Sequence, residues 1–175
     1  TTLHGTDITL VGTDSSFAPV VEFSINESDG VTAVSDHLRQ ETMNTFKLKK
    51  NIKVIHNFID FSRFRKTNKD HFRKAIAPDG EKILVHISNF RKVKRVEDVI
   101  HIFERVSKRI KSKLLLIGDG PERKYMEELC RNLHLCDEIR FLGKQEAVEE
   151  ILAIADLFIL PSENESFGLA ALEAM

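Results

Sequence analysis

The sequence predicts an α/β fold in which parallel sheets are covered by helices on both faces. Two observations carry that prediction. From Glu81 onward, short uninterrupted apolar runs such as Leu114 to Ile117 and Leu157 to Leu160 alternate with longer amphipathic stretches, the pattern of strands buried on both sides and joined by crossover helices. Each run also ends in Ser, Gly, Asn or Pro, and the residues after it are basic, carboxylate-bearing or glycine-rich, as expected where a doubly wound sheet binds its ligand.

The elements follow in order. Thr1-Thr2-Leu3 reads as the end of a strand, and His4-Gly5-Thr6-Asp7 as the loop that leaves it. Val31 to Val34 is a strand, and Ser35 is placed to cap a helix from Asp36 to Phe46 with its hydroxyl. Ile52 to Ile55 is a third strand, ending in His56-Asn57. Ser62 to Asp70 is polar and basic and marks a boundary near residues 60 to 70; helix propensity resumes through Ala77 before a Pro78-Asp79-Gly80 turn. Strands then fall at Lys82 to Ser88, Lys113 to Gly118, Ile139 to Leu142 and Leu157 to Leu160. Between them lie helices at Val96 to Ile110, Glu122 to Leu133 and Glu146 to Ala155, and another begins at Gly168. Both ends read as cut, because the last helix has no C-cap signal, so the chain is read as an interior fragment.

Composition excludes several function classes. With 26 basic and 27 acidic residues the net charge is -1, so no global field draws in nucleic acid or an anionic membrane, and any basic site is local. The apolar runs are too short to span a bilayer, which speaks against membrane insertion. Thr1-Thr2-Leu3-His4 does not open a signal peptide. The only cysteines, Cys130 and Cys136, suit a reducing cytoplasm, and with His134 they lack the second ligand pair that a zinc site needs. A homo-oligomer stays open.

Four loops at successive strand ends carry the candidate chemistry. Ser88-Asn89-Phe90-Arg91-Lys92-Val93-Lys94-Arg95 places four cations in five positions. Such a run is usually a solvated face, but at a strand's carboxyl end it can neutralise phosphate charge, with Lys94 and Arg91 ahead of the others. Gly118-Asp119-Gly120-Pro121 is either a tight turn alone or a close approach to a ligand. Gly143-Lys144 follows the third strand of this half. After Pro161, Glu165 and Glu173 stand eight positions apart around a helix start at Gly168; orphan amides there attract a diphosphate, and the carboxylates can accept from sugar hydroxyls. In a chain that is 30% charged such a pair also recurs by chance. His4 could orient a hydroxyl or move a proton, although a lone histidine is more often structural, the default for His37, His56, His71, His86, His101 and His134. Neither G-x-G-x-x-G nor a Walker-type loop occurs.

Taken in order, Gly118-Asp119-Gly120-Pro121, Asp156-Leu157-Phe158-Ile159-Leu160-Pro161-Ser162 and Glu165-Ser166-Phe167-Gly168-Leu169-Ala170-Ala171-Leu172-Glu173-Ala174-Met175 resemble the retaining glycosyltransferases of family 4. Thr1 to Thr9, Val31 to Ser35, Asn57-Phe58-Ile59-Asp60 and His86 to Val96 narrow the resemblance to the branch that opens bacillithiol synthesis. The resemblance implies a GT-B fold, two Rossmann-like doubly wound parallel-sheet domains. Residues 1–64 would be the second part of an N-terminal acceptor-side domain, and 65–175 the first part of a C-terminal nucleotide-sugar domain. It implies transfer of N-acetylglucosamine from UDP-N-acetylglucosamine to L-malate, with no metal and no further cofactor. Glu173 would hold the ribose hydroxyls and Glu165 the transferred sugar, with Ser166, Phe167 and Gly168 offering amides to the diphosphate. His4 would steady the transition state, and Ser88, Asn89, Arg91, Lys94, Gly118, Gly143 and Lys144 would complete the donor site. Thr6, Asn57 and Arg39 are the acceptor candidates. Two departures stand out: Ser88-Asn89 replaces the usual Gly-Arg, which directs that arginine's role toward Arg91, and Lys94-Arg95 keeps the lysine of the usual Lys-Gly but loses the glycine.

Overall fold

The computed structural model describes residues 1–6, 8, 11–12, 14–67 and 69–175; Asp7 and Thr9, part of the opening segments above, lie outside the described residues. The chain divides into two compact units, Thr1–Phe58 with Glu165–Leu169, and Ile59–Asn164 with Ala170–Met175.

The first unit holds a parallel sheet of β1 (Thr2–Leu3), β2 (Val31–Ala33) and β3 (Ile52–Val54) in that order, with helices α1 (Ala18–Glu27) and α2 (Asp36–Thr45) as crossovers. Its core is built from Leu3, Ile8, Ile25, Val31, Ala33, Leu38 and Ile52. Ser35 is extended, with φ -150°, and its Oγ accepts from Leu38 N–H at 3.2 Å, so the predicted cap is formed. Helix α1 has no counterpart in the sequence reading. Pro19 opens it, but Phe17, Val20 and Phe23 point outward, so its sequence lacks the clean apolar stripe by which a surface helix is recognised.

In the second unit β4 (Lys82–Ile87), β5 (Ser112–Ile117), β6 (Ile139–Gly143) and β7 (Leu157–Phe158) form one parallel sheet in the order β6-β5-β4-β7. Helices α3 (Asp70–Ile76), α4 (Val96–Ser107), α5 (Arg123–Asn132) and α6 (Val148–Leu152) accompany it, and α7 (Leu169–Ala174) ends the chain. Alternate strand residues supply opposite layers: Leu84, Leu114 and Leu116 pack with α4 and α5 through Phe103, Ile100 and Met126, while Ile83, Val85, Leu115 and Ile117 pack with Ile76, Ile151 and Ile154. Two buried faces explain why the strands read as continuous apolar runs. β7 is shorter than predicted, because it pairs with β4 only through Leu84↔Leu157 and Val85↔Phe158. At the opposite end of β4, Asp156 accepts from Ile83 N–H at 2.8 Å and from Arg73 Nη2 at 2.6 Å, fixing the start of β7. No helix among the described residues is long and apolar enough to cross a membrane.

Candidate functional site

A doubly wound sheet opens a crevice where neighbouring strands lead away in opposite directions, outside their carboxyl ends. In the second unit that place lies between β4, which leads on to β5 and β6, and β7, which returns on the other side. Ser88 to Arg95 leave β4 there and Ile159 to Asn164 leave β7, so Ser88, Asn89, Arg91 and Lys94 all stand at the switch point. The two strand ends are tied together. Glu163 N–H donates to Val93 O at 2.9 Å. Deeper in, His86 Nδ1 lies 2.8 Å from Ile159 O and its Nε2 2.8 Å from Ser88 Oγ. A carbonyl only accepts, so Nδ1 carries a hydrogen, and in the tautomer this selects Nε2 accepts from the Ser88 hydroxyl.

The basic segment is a single 3-10 turn, Lys92–Lys94, closed by Lys94 N–H on Arg91 O at 2.8 Å and Arg95 N–H on Lys92 O at 3.0 Å. Two left-handed residues bracket it, Phe90 at φ 35° and Arg95 at φ 51°. Arg95 thus adopts the conformation that a glycine takes without strain, and it pairs with Asp98 in the first turn of α4. Arg91 and Lys92 are exposed and Lys94 half-buried. Arg91, Lys92, Arg95, Glu122, Met126 and Glu163 line a cavity of about 280 Å³. Val96, Glu97 and Asp98 complete the lining, so the cations of the turn face four carboxylates there, and Glu97 and Asp98 occupy the first turn of α4.

The glycines of the next loop are accounted for by backbone approach. A Cβ on Gly118 would lie 1.8 Å from Ser88 O, and one on Gly120 2.0 Å from Asn89 O. Glu122 N–H adds a 3.1 Å bond to Phe90 O, so the turn braces the β4 loop from behind. Gly118 N–H donates to Gly143 O at 2.8 Å, joining the ends of β5 and β6, and Lys144 beyond it is exposed. Cys130 sits buried in α5, where burial pushes its thiol up to about 12, while Cys136 is exposed.

Glu165 to Leu169 count with the first unit and Glu173 with the second. Ser166 O accepts from Ser35 Oγ at 2.5 Å, its side chain fills the space above Gly5, and Phe167 packs on the first unit's core with its ring 5.9 Å from His56. Gly168 has φ 81°, and α7 begins one residue later than predicted. Glu173 is half-buried beside Arg65, Lys66 and Glu149 in a cavity of about 240 Å³. Burial pushes its carboxyl above the usual range; Arg63 opposes the rise and Glu149 adds to it. Arg63 is itself engaged by Glu149 Oε2 at 2.9 Å and Glu146 O at 2.8 Å.

In the first unit His4, His56, Asn57, Thr2 and Thr32 line a cavity of about 390 Å³ at the carboxyl ends of the strands. Of the three acceptor candidates only Asn57 lines it. Thr6 is exposed, and Arg39 is held on α2 by Asp36, with Nε and Nη2 each 2.8 Å from Oδ1.

Residues 67–175 match the family described as Glycosyl transferases group 1. The chain belongs to that family. Over 176 residues this glycosyl transferase is 50% identical to the N-acetyl-alpha-D-glucosaminyl L-malate synthase of Bacillus anthracis, covering 100% of this chain and 46% of that one. An uncharacterized glycosyltransferase of Methanocaldococcus jannaschii is 31% identical over 186 residues, with 99% of this chain and 48% of that one covered. The chain therefore spans about half the length of these relatives. Among solved structures, Anabaena HepE in complex with UDP and glucose superposes with a TM-score of 0.86 at 22% identity, over 99% of this chain and 49% of that one. That likeness shows the fold, which is GT-B.

Sequence reasoning left out two residues that the glycosyl transferase places at its strand ends. A lone histidine in a strand reads as structural, and nothing in the sequence reveals that the two nitrogens of His86 bridge separate strands. His56 also reads as structural from sequence, yet it lines the first unit's cavity, with Nδ1 3.1 Å from Val34 O. Its position directly before Asn57, at a strand's carboxyl end, was the available signal.

Proposed function

We propose that the protein to which this chain contributes is a UDP-sugar-dependent retaining hexosyltransferase. It moves N-acetylglucosamine from UDP-N-acetylglucosamine to the hydroxyl of L-malate, the first step of bacillithiol synthesis, in the cytoplasm and without a metal ion. The observation that carries this reading is the 50% identity, sustained over the whole chain, to a synthase whose name states that product. The geometry supports it from a second side: four cations stand at the switch point of the nucleotide-domain sheet, where a GT-B enzyme needs counter-charge for a leaving diphosphate.

In this scheme Lys94 and Arg91 meet charge on the diphosphate, aided by the amides of Ser166, Phe167 and Gly168. Glu173 holds ribose hydroxyls and Glu165 the transferred sugar, while His4 faces the sugar from the acceptor side. Asn57 and His56, which line the cavity of the first unit, meet the acceptor. The fragment alone is expected to be inactive.

The test mixes the full-length enzyme with UDP-N-acetylglucosamine and each of L-malate, D-malate, glycerate and inositol phosphate, and follows UDP release. L-malate should be preferred, and EDTA should leave the rate unchanged. Preference for inositol phosphate, or no more UDP with L-malate than with water, would leave only a glycosyltransferase with another donor or acceptor. Absence of UDP release with any acceptor, alongside intact UDP binding, would favour a non-catalytic UDP-sugar-binding module. Lys94→Ala should lower kcat more than it raises the donor KM, because charge builds on the leaving phosphate mainly in the transition state.

A further inference from the structure

His86 is fully buried in the middle of the sheet, between neighbours on β4 that are apolar, and an imidazole there is retained against a desolvation cost that an apolar side chain would not meet. Its hydrogen bonds form a chain that crosses the switch point. Phe90 N–H donates to Ser88 Oγ at 3.4 Å, the Ser88 hydroxyl donates to His86 Nε2 at 2.8 Å, and His86 Nδ1–H donates to Ile159 O at 2.8 Å. One end of that chain is the backbone leaving β7. The other is Phe90, the left-handed residue at φ 35° from which the basic turn departs.

Everything else around Phe90 removes slack. Its ring is wholly buried, 6.4 Å from the His86 ring at an interplanar angle of 24° and 6.4 Å from Phe141 edge-on. Behind it, Gly118 and Gly120 approach the carbonyls of Ser88 and Asn89 so closely that neither could carry a side chain. The direction in which Arg91 to Arg95 leave the sheet is therefore set by the register between the ends of β4 and β7, and His86 is the side chain that spans them.

We propose that His86 and Ser88 form a positioning pair that fixes the basic turn Arg91–Arg95 for the diphosphate of a nucleotide-sugar donor, acting on donor affinity without His86 touching the donor. This rests on the reading that the turn faces that diphosphate. Ser88 Oγ, turned inward to the imidazole, serves the turn through its backbone rather than through a ligand contact.

The experiment is a double-mutant cycle in the full-length protein, reading UDP affinity by calorimetry, donor KM and kcat, and melting temperature. Its variants are His86→Phe, which keeps a ring against Phe90, Ser88→Ala, their combination, and Ser88→Thr, which restores the hydroxyl. Each single variant removes two of the chain's three hydrogen bonds, with the Ser88–His86 bond common to both, and should weaken UDP binding about tenfold. The double variant should be no weaker than either, because both break the same chain, and Ser88→Thr should recover most of the affinity. Additive losses would mean that Ser88 contacts the ligand itself and would overturn the proposal, as would unchanged affinity in Ser88→Ala. If His86→Phe does not fold, failure of Ser88→Thr to rescue Ser88→Ala overturns it equally. Lys94→Ala separates the two readings: wild-type UDP affinity and kinetics there would sink the diphosphate role of the turn, whatever the cycle shows.

Discussion

Gly118→Ala tests how tightly the loop behind the basic turn is packed. The new Cβ would stand 1.8 Å from Ser88 O and 2.9 Å from Ser88 C. Carbon–oxygen contacts normally begin near about 3.3 Å, so the ends of β4 and β5 would have to part by more than an ångström. Ser88 N–H on Ile117 O at 3.1 Å pins β4 to β5, and Gly118 N–H on Gly143 O at 2.8 Å holds Gly118 to β6 on its other side, so the displacement strains both bonds. Losing both bonds removes about 1 to 3 kcal/mol. Gly118 also has φ 121°, a conformation that adds about 1 to 3 kcal/mol for a residue with a side chain. The sum is about 2 to 6 kcal/mol, or a fall in melting temperature of roughly 4 to 24 °C at the usual scaling for chains of this size. Three other glycines calibrate the measurement in the full-length protein. Gly120→Ala meets Asn89 O at 2.0 Å without a positive φ, Gly80→Ala has φ 78° but nothing within 4 Å, and Gly30→Ala has neither feature. The expected order of destabilisation is Gly118, Gly120, Gly80, then Gly30 near zero. Melting of Gly118→Ala level with Gly30→Ala would refute the packing argument.

Three further outcomes follow from the geometry. Glu173→Ala should weaken UDP by about 1 to 3 kcal/mol; because burial raises the Glu173 carboxyl in the free protein and ribose hydroxyls favour its charged form, wild-type UDP affinity should fall as the pH drops through a range above 4.5, and calorimetry across pH should find no such slope in the variant. Arg95→Gly should change the melting temperature little: release from a left-handed conformation gains about 1 to 2 kcal/mol, against about 0.5 to 1 for the added freedom of an unfolded glycine and less than about 1 for the exposed Asp98 pair, so a loss beyond about 2 kcal/mol in urea melts contradicts it. Asp156 is held below its usual range: burial works to raise it, but Ile83 N–H, Arg73 and Lys82 together outweigh that. Its stabilising contribution is therefore full above its ordinary value of 3.8 and lost as the pH falls below it, and the acid limb of a stability-versus-pH curve should flatten in Asp156→Asn.

Most of the second unit was legible because both faces of its sheet are buried. Leu114 to Ile117 serve two cores at once, and that double demand writes a continuous apolar run into the sequence. Helix α1 was not legible, since Phe17, Val20 and Phe23 face outward and erase the helical period. Gly118 and Gly120 were legible as a special turn but not in kind: a sequence does not say whether a ligand or the carbonyls of Ser88 and Asn89 come close. The affiliation of Glu165 to Leu169 with the first unit rests on contacts such as Ser35 to Ser166, 131 positions apart, a distance over which local pattern carries no information. Arg95 stood out only through the resemblance, as an arginine where the family usually has glycine, and its φ of 51° gives the physical reason why glycine suits that position.

The basic turn itself contributes little to the stability of the fold. Arg91 and Lys92 are exposed, and the Arg95–Asp98 pair lies at the surface, where such pairs are worth under about 1 kcal/mol. Its shape nevertheless requires two left-handed residues, each costing about 1 to 3 kcal/mol. Strain of that size persists only where the surroundings dictate it, and here they do: complete burial of Phe90 returns about 2 to 3 kcal/mol, while the glycine contacts and the His86 chain leave no alternative route from β4. A solvated charge run would need none of this. Substitutions at 86, 88, 90, 118 and 120, where the turn is shaped, should therefore alter donor handling more than substitution of an exposed cation such as Lys92, although these positions lie behind the turn.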